Sequence, residues 1–169
     1  MLCDNACERD IDFCLHPAYI YNPSFEHPII LADSPGCPSY WPNGHNVILI
    51  KSQSDNYGGV VAADGNQLLV LSNGAYIKQS VTFTPGLTYL LTFSAIADTE
   101  GIMTVSVGHA SLVVEHPLQS TTMATYSMRF VVDTATDEVI FTCDSGAIFL
   151  DFVTLQECKH IPYLRNNFV

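Results

Sequence analysis

Two carboxylates sit in short apolar settings near opposite ends of the chain. Glu26 closes Asn22-Pro23-Ser24-Phe25-Glu26, and Asp151 lies within Phe149-Leu150-Asp151-Phe152-Val153-Thr154-Leu155. Both segments read as strand-like. First and last strands often lie side by side in a two-sheet sandwich, which would bring Glu26 and Asp151 to one site. Two ionised carboxylates about 4 Å apart repel by about 4 kcal/mol at an effective dielectric of about 20, so convergence calls for a cation or a shared proton. The alternative is that Asp151 accepts backbone N–H bonds while Glu26 stays solvated.

A second group has the chemistry of sugar recognition, in which an aromatic ring takes the apolar face of a pyranose and polar groups beside it read the hydroxyls. Trp41, the single Trp, stands in a Pro/Gly-rich stretch with Tyr40, Asn43 and His45, and Tyr57 stands in Asp55-Asn56-Tyr57-Gly58-Gly59. These five are the candidate ligand-binding residues. Trp41 has a second reading, as a large ring plugging one end of a sandwich. Tyr76 and Tyr126 fall inside strand-like runs, where an aromatic residue usually packs in the core or across strands.

Cys3, Cys7 and Cys14, with His16 close behind, gather types that zinc favours, although their spacing matches no zinc-finger pattern. Disulfides within this stretch or from it to Cys37 or Cys158, free thiols, and a metal site all stay open on the residues alone. Cys143 shares the parity of Val139 and Phe141, which predicts a buried thiol.

The elements that must position these residues are strands. Ile77, Gln79, Val81 and Phe83 share one parity, with Lys78, Ser80 and Thr82 on the other. Tyr89, Leu91, Phe93 and Ala95 repeat the alternation, as do Met103, Val105 and Val107, then Tyr126, Met128, Phe130 and Val132, then Val139, Phe141 and Cys143. Asn73-Gly74, Pro85-Gly86, Glu100-Gly101 and Ser145-Gly146 read as the turns between them. Gln79 has inward parity, so its amide must find hydrogen-bond partners, which makes it a structural residue. The expected architecture is all-β, an antiparallel sandwich over residues 19–158, preceded by a cysteine-bearing arm (1–18) and followed by a short tail (159–169).

The chain has 169 residues, 17 Asp plus Glu against 6 Lys plus Arg, and a formal charge of −11. That charge repels phosphate backbones and anionic lipid, so nucleic acid is not an expected partner, and no apolar run reaches the length of about 18 residues needed to insert into a membrane. Met1 to Arg9 lacks the basic and apolar blocks of a secretory signal, leaving the location open between an extracellular setting and a virion surface. Gly-x-Ser-x-Gly, His-Glu-x-x-His and phosphate-binding Gly loops are all missing, so a non-enzyme is expected.

The order Asn22-Pro-Ser-Phe-Glu26, Trp41, Asp64-Gly65-Asn66-Gln67-Leu68, Ile77-Lys78-Gln79-Ser80-Val81, Pro85-Gly86-Leu87-Thr88-Tyr89 and Leu150-Asp151-Phe152-Val153-Thr154-Leu155 resembles the galactose-binding-like jelly rolls. The similarity is to carbohydrate-binding modules of xylanases and to plant cell-wall proteins built from such domains, across residues 20 to 157. It implies a non-catalytic glycan-binding or adhesion module, with a glycan or protein partner. It also implies a structural calcium held by Glu26, Asp151 and backbone carbonyls, a mixed oxygen shell that calcium tolerates. Relatives often carry a second acid after the closing Asp, where this chain has Phe152. The alternative is a structural protein, such as a minor capsid or fibre component of a virus or phage, using the jelly roll as a building block in a homo-oligomer or larger assembly.

Overall fold

The structure is a computed structural model and describes residues 12–97, 100–116 and 122–160. Among the described residues ten strands follow one another: β1 (Asp12–Ala18), β2 (Ser34–Pro35), β3 (Asn43–Lys51), β4 (Gln67–Thr82), β5 (Thr88–Ala97), β6 (Gly101–Val107), β7 (Ala110–His116), β8 (Ala124–Val131), β9 (Thr136–Ser145) and β10 (Ala147–His160). One short 3₁₀ turn, Asp55–Tyr57, lies between β3 and β4. Every pairing between named strands is antiparallel.

Strand β4 belongs to both layers of the sandwich. Its first part, Leu69–Ser72, pairs with Ala147–Leu150 of β10, and its second part, Tyr76–Thr82, pairs with Thr136–Thr142 of β9. The bend between them falls at Asn73-Gly74, where Gly74 adopts φ +76. That dipeptide therefore does not separate two strands: its left-handed backbone redirects a single strand from one sheet to the other. β3 follows the bend, with a register shift between His45 and Val47 and Asn46 at φ +53. One layer consequently runs β7-β6-β9-β4-β3. The other runs β8-β5-β10 and continues into the first part of β4.

The alternation read from the sequence explains the core. Ile77, Gln79, Val81 and Phe83 are buried while Ser80 and Thr82 are exposed, and Tyr89, Leu91, Phe93, Met103, Val105, Met128, Phe130, Val139, Phe141 and Cys143 all face inward. Aromatic rings join the layers: Trp41 lies 5.5 Å from Phe25 and 6.3 Å from Phe141, and Phe141 meets Phe93 edge-on at 5.2 Å. The first part of β4 is buried on both sides, because a smaller cluster of Ile50, Val60, Leu68, Val70, Ile96 and Phe149 covers the back of its sheet. That is why Leu68 to Leu71 are all buried and show no alternation.

Residues 12–18, expected within the arm, form a strand whose backbone pairs with the end of β10, Cys14 opposite Cys158 and Asp12 opposite His160. Cys3 and Cys7, and the tail from 161 to 169, lie outside the described residues. Cys37 and Cys143 are free thiols. Burial raises both above the ordinary thiol range, and Cys143 donates to the Ser145 carbonyl at 3.3 Å.

Candidate functional site

Asn22 to Glu26, expected as a strand, is a turn. Asn22 and Phe25 take φ +51 and +56, and the Phe25 N–H closes the turn on the Asn22 carbonyl at 3.2 Å. Pro23 removes a donor that a strand would need. The turn nevertheless reaches the last strand, since Val153 donates its N–H to the Pro23 carbonyl at 2.8 Å.

Glu26 and Asp151 meet the same loop. Glu26 Oε1 accepts from the N–H groups of Asn66 and Gln67, both at 2.8 Å, and Asp151 Oδ2 accepts from the Asp64 N–H at 2.9 Å. Asp151 Oδ1 takes the N–H of Phe152 at 2.7 Å, and the Ser24 hydroxyl donates to Asp64 at 2.5 Å. A side chain at Gly65 would collide with Glu26, so only glycine, at φ +71, lets the loop wrap the carboxylate. Asp151 is fully buried. Burial pushes its carboxyl up to about 7; the backbone N–H bonds pull the other way, and the charge of Asp64 adds to the rise.

The carboxylates of Glu26, Asp64 and Asp151 offer hard oxygens, the type calcium selects. No group of three or more His, Cys, Asp or Glu placed to hold a metal occurs among the described residues. An ion here would complete its shell from backbone carbonyls.

The five candidate sugar residues are dispersed. Trp41 is 0% exposed and gives its indole N–H to the Asn22 carbonyl at 3.3 Å, so its ring offers no face to a ligand and fills the sandwich end instead. Tyr57 lies on the other side of the molecule, half-buried and edge-on to Phe149 at 6.4 Å, over the smaller cluster. Its loop is tied down by Asp33, which accepts from Lys51 N–H (3.1 Å), Ser54 Oγ (2.6 Å) and Asn56 Nδ2 (3.3 Å). Burial opposes ionisation of Asp33, but these bonds and the charge of Lys51 outweigh it and hold the carboxyl below its usual range. The polar depression of about 500 Å³ around Asp33, Lys51, Gln53, Ser54 and Asn56 is the outer surface of that tie.

Asn43 and His45 do come together, on the open face of the β7-β6-β9-β4-β3 layer. The register places His45 opposite Tyr76, Tyr76 opposite Thr142, Thr142 opposite Thr104, and Thr104 opposite Val113, one continuous row over five strands. Beside it runs a second row, Asn43, Lys78, Ile140, Ser106 and Ser111. With strands about 4.8 Å apart, the rows extend about 19 Å. His45 and Tyr76 lie nearly parallel, 6.3 Å apart, giving an aromatic end; the middle is hydroxyls. Lys78 pairs with both oxygens of Glu138 at 2.9 and 3.0 Å, and Thr104 Oγ1 donates to Asp144 at 2.7 Å. Tyr76, which its strand position assigned to packing, is 39% exposed. Its parity with Lys78 and Ser80 was the available signal; the pairing of four remote strands that completes the row was not.

The fold defines the class, an antiparallel jelly-roll β-sandwich. Among solved structures it is similar to TmCBM61 in complex with β-1,4-galactotriose (TM-score 0.57, 18% identity, covering 82% of this chain and 97% of that one). It is similar also to the carbohydrate-binding module CBM6cm-2 from Cellvibrio mixtus lichenase 5A in complex with cellotriose (TM-score 0.53, 9% identity, 76% and 98% covered). A third likeness is to the enzymatically active domain of bacteriophage CBA120 tailspike protein 4 (TM-score 0.57, 17% identity, 83% of this chain but 21% of that one). No curated protein matches the sequence. The chain belongs to the family described as "Protein of unknown function (DUF642)", whose model matches residues 18–150.

Proposed function

We propose that the chain is a non-catalytic glycan-binding module whose ligand, a neutral saccharide, lies across the β7-β6-β9-β4-β3 face. The observation that carries this reading is the five-strand row with the His45–Tyr76 pair at one end and the hydroxyls of Thr142 and Thr104 along it. It combines a stacking surface with short groups that can read hydroxyls. Solved neighbours of this fold carry galactotriose and cellotriose, which supports the ligand class. A charge of −11, with Lys78 already paired, disfavours sulfated or uronic chains.

The acids support the non-catalytic reading. Asp151, the carboxyl pushed toward neutral pH, is sealed from solvent. Glu138 and Asp144 stand six residues apart on β9, about 20 Å by strand rise, beyond the separation of about 5–10 Å at which two carboxyls share glycoside hydrolysis.

Isothermal titration with β-1,4-galacto- and gluco-oligosaccharides tests the reading. Tyr76→Ala and His45→Ala are expected to weaken binding about tenfold each, the scale of a lost stacking contact. Lack of binding by the unaltered protein at millimolar sugar would sink it.

The same chain is proposed to hold one structural calcium at Glu26, Asp151 and the carbonyls around the 64–67 loop. Mass spectrometry of the purified protein for bound metal, with melting in chelator and in added calcium, decides this. Neither bound metal nor a melting shift would leave Asp151 as a purely hydrogen-bonded carboxyl.

A further inference from the structure

Away from the sheet face, Tyr21 and Tyr40 are 56% and 62% exposed, yet their rings stack 5.4 Å apart and 23° from parallel. Tyr19 is 73% exposed on the same parity as Tyr21, while Ile20 between them packs on the core. The stack is held from below. Gln79, 4% exposed, accepts the Tyr21 N–H on Oε1 at 2.8 Å. Its Nε2 donates to the carbonyls of Tyr21 and Tyr40 at 3.0 and 2.9 Å. A single buried amide therefore fixes the backbone beneath both rings, and all its bonds are used for that.

Tyr40 also sits at φ +70, a left-handed conformation that disfavours a side chain with a Cβ and that glycine would adopt without strain. A residue chosen for stability would be glycine here, with no ring in water. A strained, exposed, rigidly supported aromatic is the pattern of a residue kept for contact with something else.

We propose that the Tyr21–Tyr40 stack is a second saccharide platform, taking the apolar face of a pyranose beside the sheet-face site; this rests on the glycan-binding reading above. A stacked pair keeps an outer ring face open and carries a hydroxyl on each ring, an uncharged surface matched to a sugar's C–H face and its peripheral hydroxyls. Tyr40 is three residues from Asn43, the partner of Lys78, so the Cα atoms of Tyr40 and Asn43 are at most about 10 Å apart. Two rings are far smaller than the area of about 800 Å² per partner that a stable protein contact needs.

The test is ring-resolved NMR of the full chain titrated with β-1,4-galactotriose and with cellotriose, in wild type, Tyr76→Ala, Tyr21→Ala and Tyr40→Gly. The Tyr21 and Tyr40 ring signals are expected to move on titration, and to move still in Tyr76→Ala at higher sugar. Affinity is expected to fall about tenfold in Tyr21→Ala and in Tyr40→Gly. Tyr40→Gly, relieved of its strain, is expected to melt no lower than wild type. If only sheet-face signals move, the platform is overturned and the glycan reading stands. If no signal moves with either sugar, both fall together. A Tyr40→Gly variant that melts lower at unchanged affinity would show the ring to be packing, not contact.

Discussion

A carboxyl buried as completely as Asp151 must hold a proton or meet positive charge. Its native pKa of about 7 lies above the ordinary 3.8, so the native state keeps a proton that the unfolded state releases. The stabilisation is therefore full below about pH 4 and is lost as pH rises through about 7. In chelator the protein is expected to melt several degrees higher at pH 5.5 than at pH 8, and Asp151→Asn to remove most of that difference; calorimetry at the two pH values checks it. Calcium would favour the ionised form, so saturating calcium is expected to raise the melting temperature chiefly at pH 8. Trp41 poses a different matter at the same scale. Trp41→Ala is expected to cost about 3–5 kcal/mol as a core truncation, read by urea unfolding. Any loss of sugar binding in that variant reports unfolding, whereas Tyr76→Ala leaves the core intact.

Strand β4 governs the elements around it. Besides joining both sheets, it carries two buried glutamines that hold the segment from 19 to 42 by its backbone: Gln79 on Tyr21 and Tyr40, and Gln67 on Phe25, Pro28 and Ile30. Gln67→Leu is expected to destabilise by about 2–4 kcal/mol, because it strands two carbonyls and an N–H. Neighbouring β3 has its own close approach, since a Cβ at Gly44 would lie 2.7 Å from Cys37 Sγ. Gly44→Ala is expected to cost about 1–3 kcal/mol, and adding Cys37→Ala to restore part of it, measured as a double-mutant cycle in urea. Much of this was legible beforehand: period two gave the inward faces of β4, β5, β6, β8 and β9, and Gln79 stood out as an amide of inward parity. Asn73-Gly74 misled because left-handed turn chemistry bends a strand as readily as it ends one. Asn22–Glu26 misled because apolar content conceals two left-handed residues. The sugar candidates were separated least well. An aromatic residue in a loop is equally compatible with plugging a core, as Trp41 does, and with facing water, as Tyr40 does; only the packing around each decides.

At the scale of the whole molecule, the acidic balance and the polar face make a coherent pair. A neutral ligand recognised by stacking and hydroxyl contacts owes little to long-range charge, so its affinity is expected to stay within about twofold between 50 mM and 500 mM salt. A titration series across those concentrations checks this, and a steep fall would indicate an ionic ligand. The topology sets a further property. Because β1 runs antiparallel to the end of β10, with Asp12 beside His160, the two ends of the described fold leave it side by side. Tension applied across those ends would open the β1–β10 pair as a zipper, bond by bond, before any load reached the strands that carry the sheet face. The same adjacency lets the fold be spliced into a surface loop of a host protein with little more strain than a hairpin imposes.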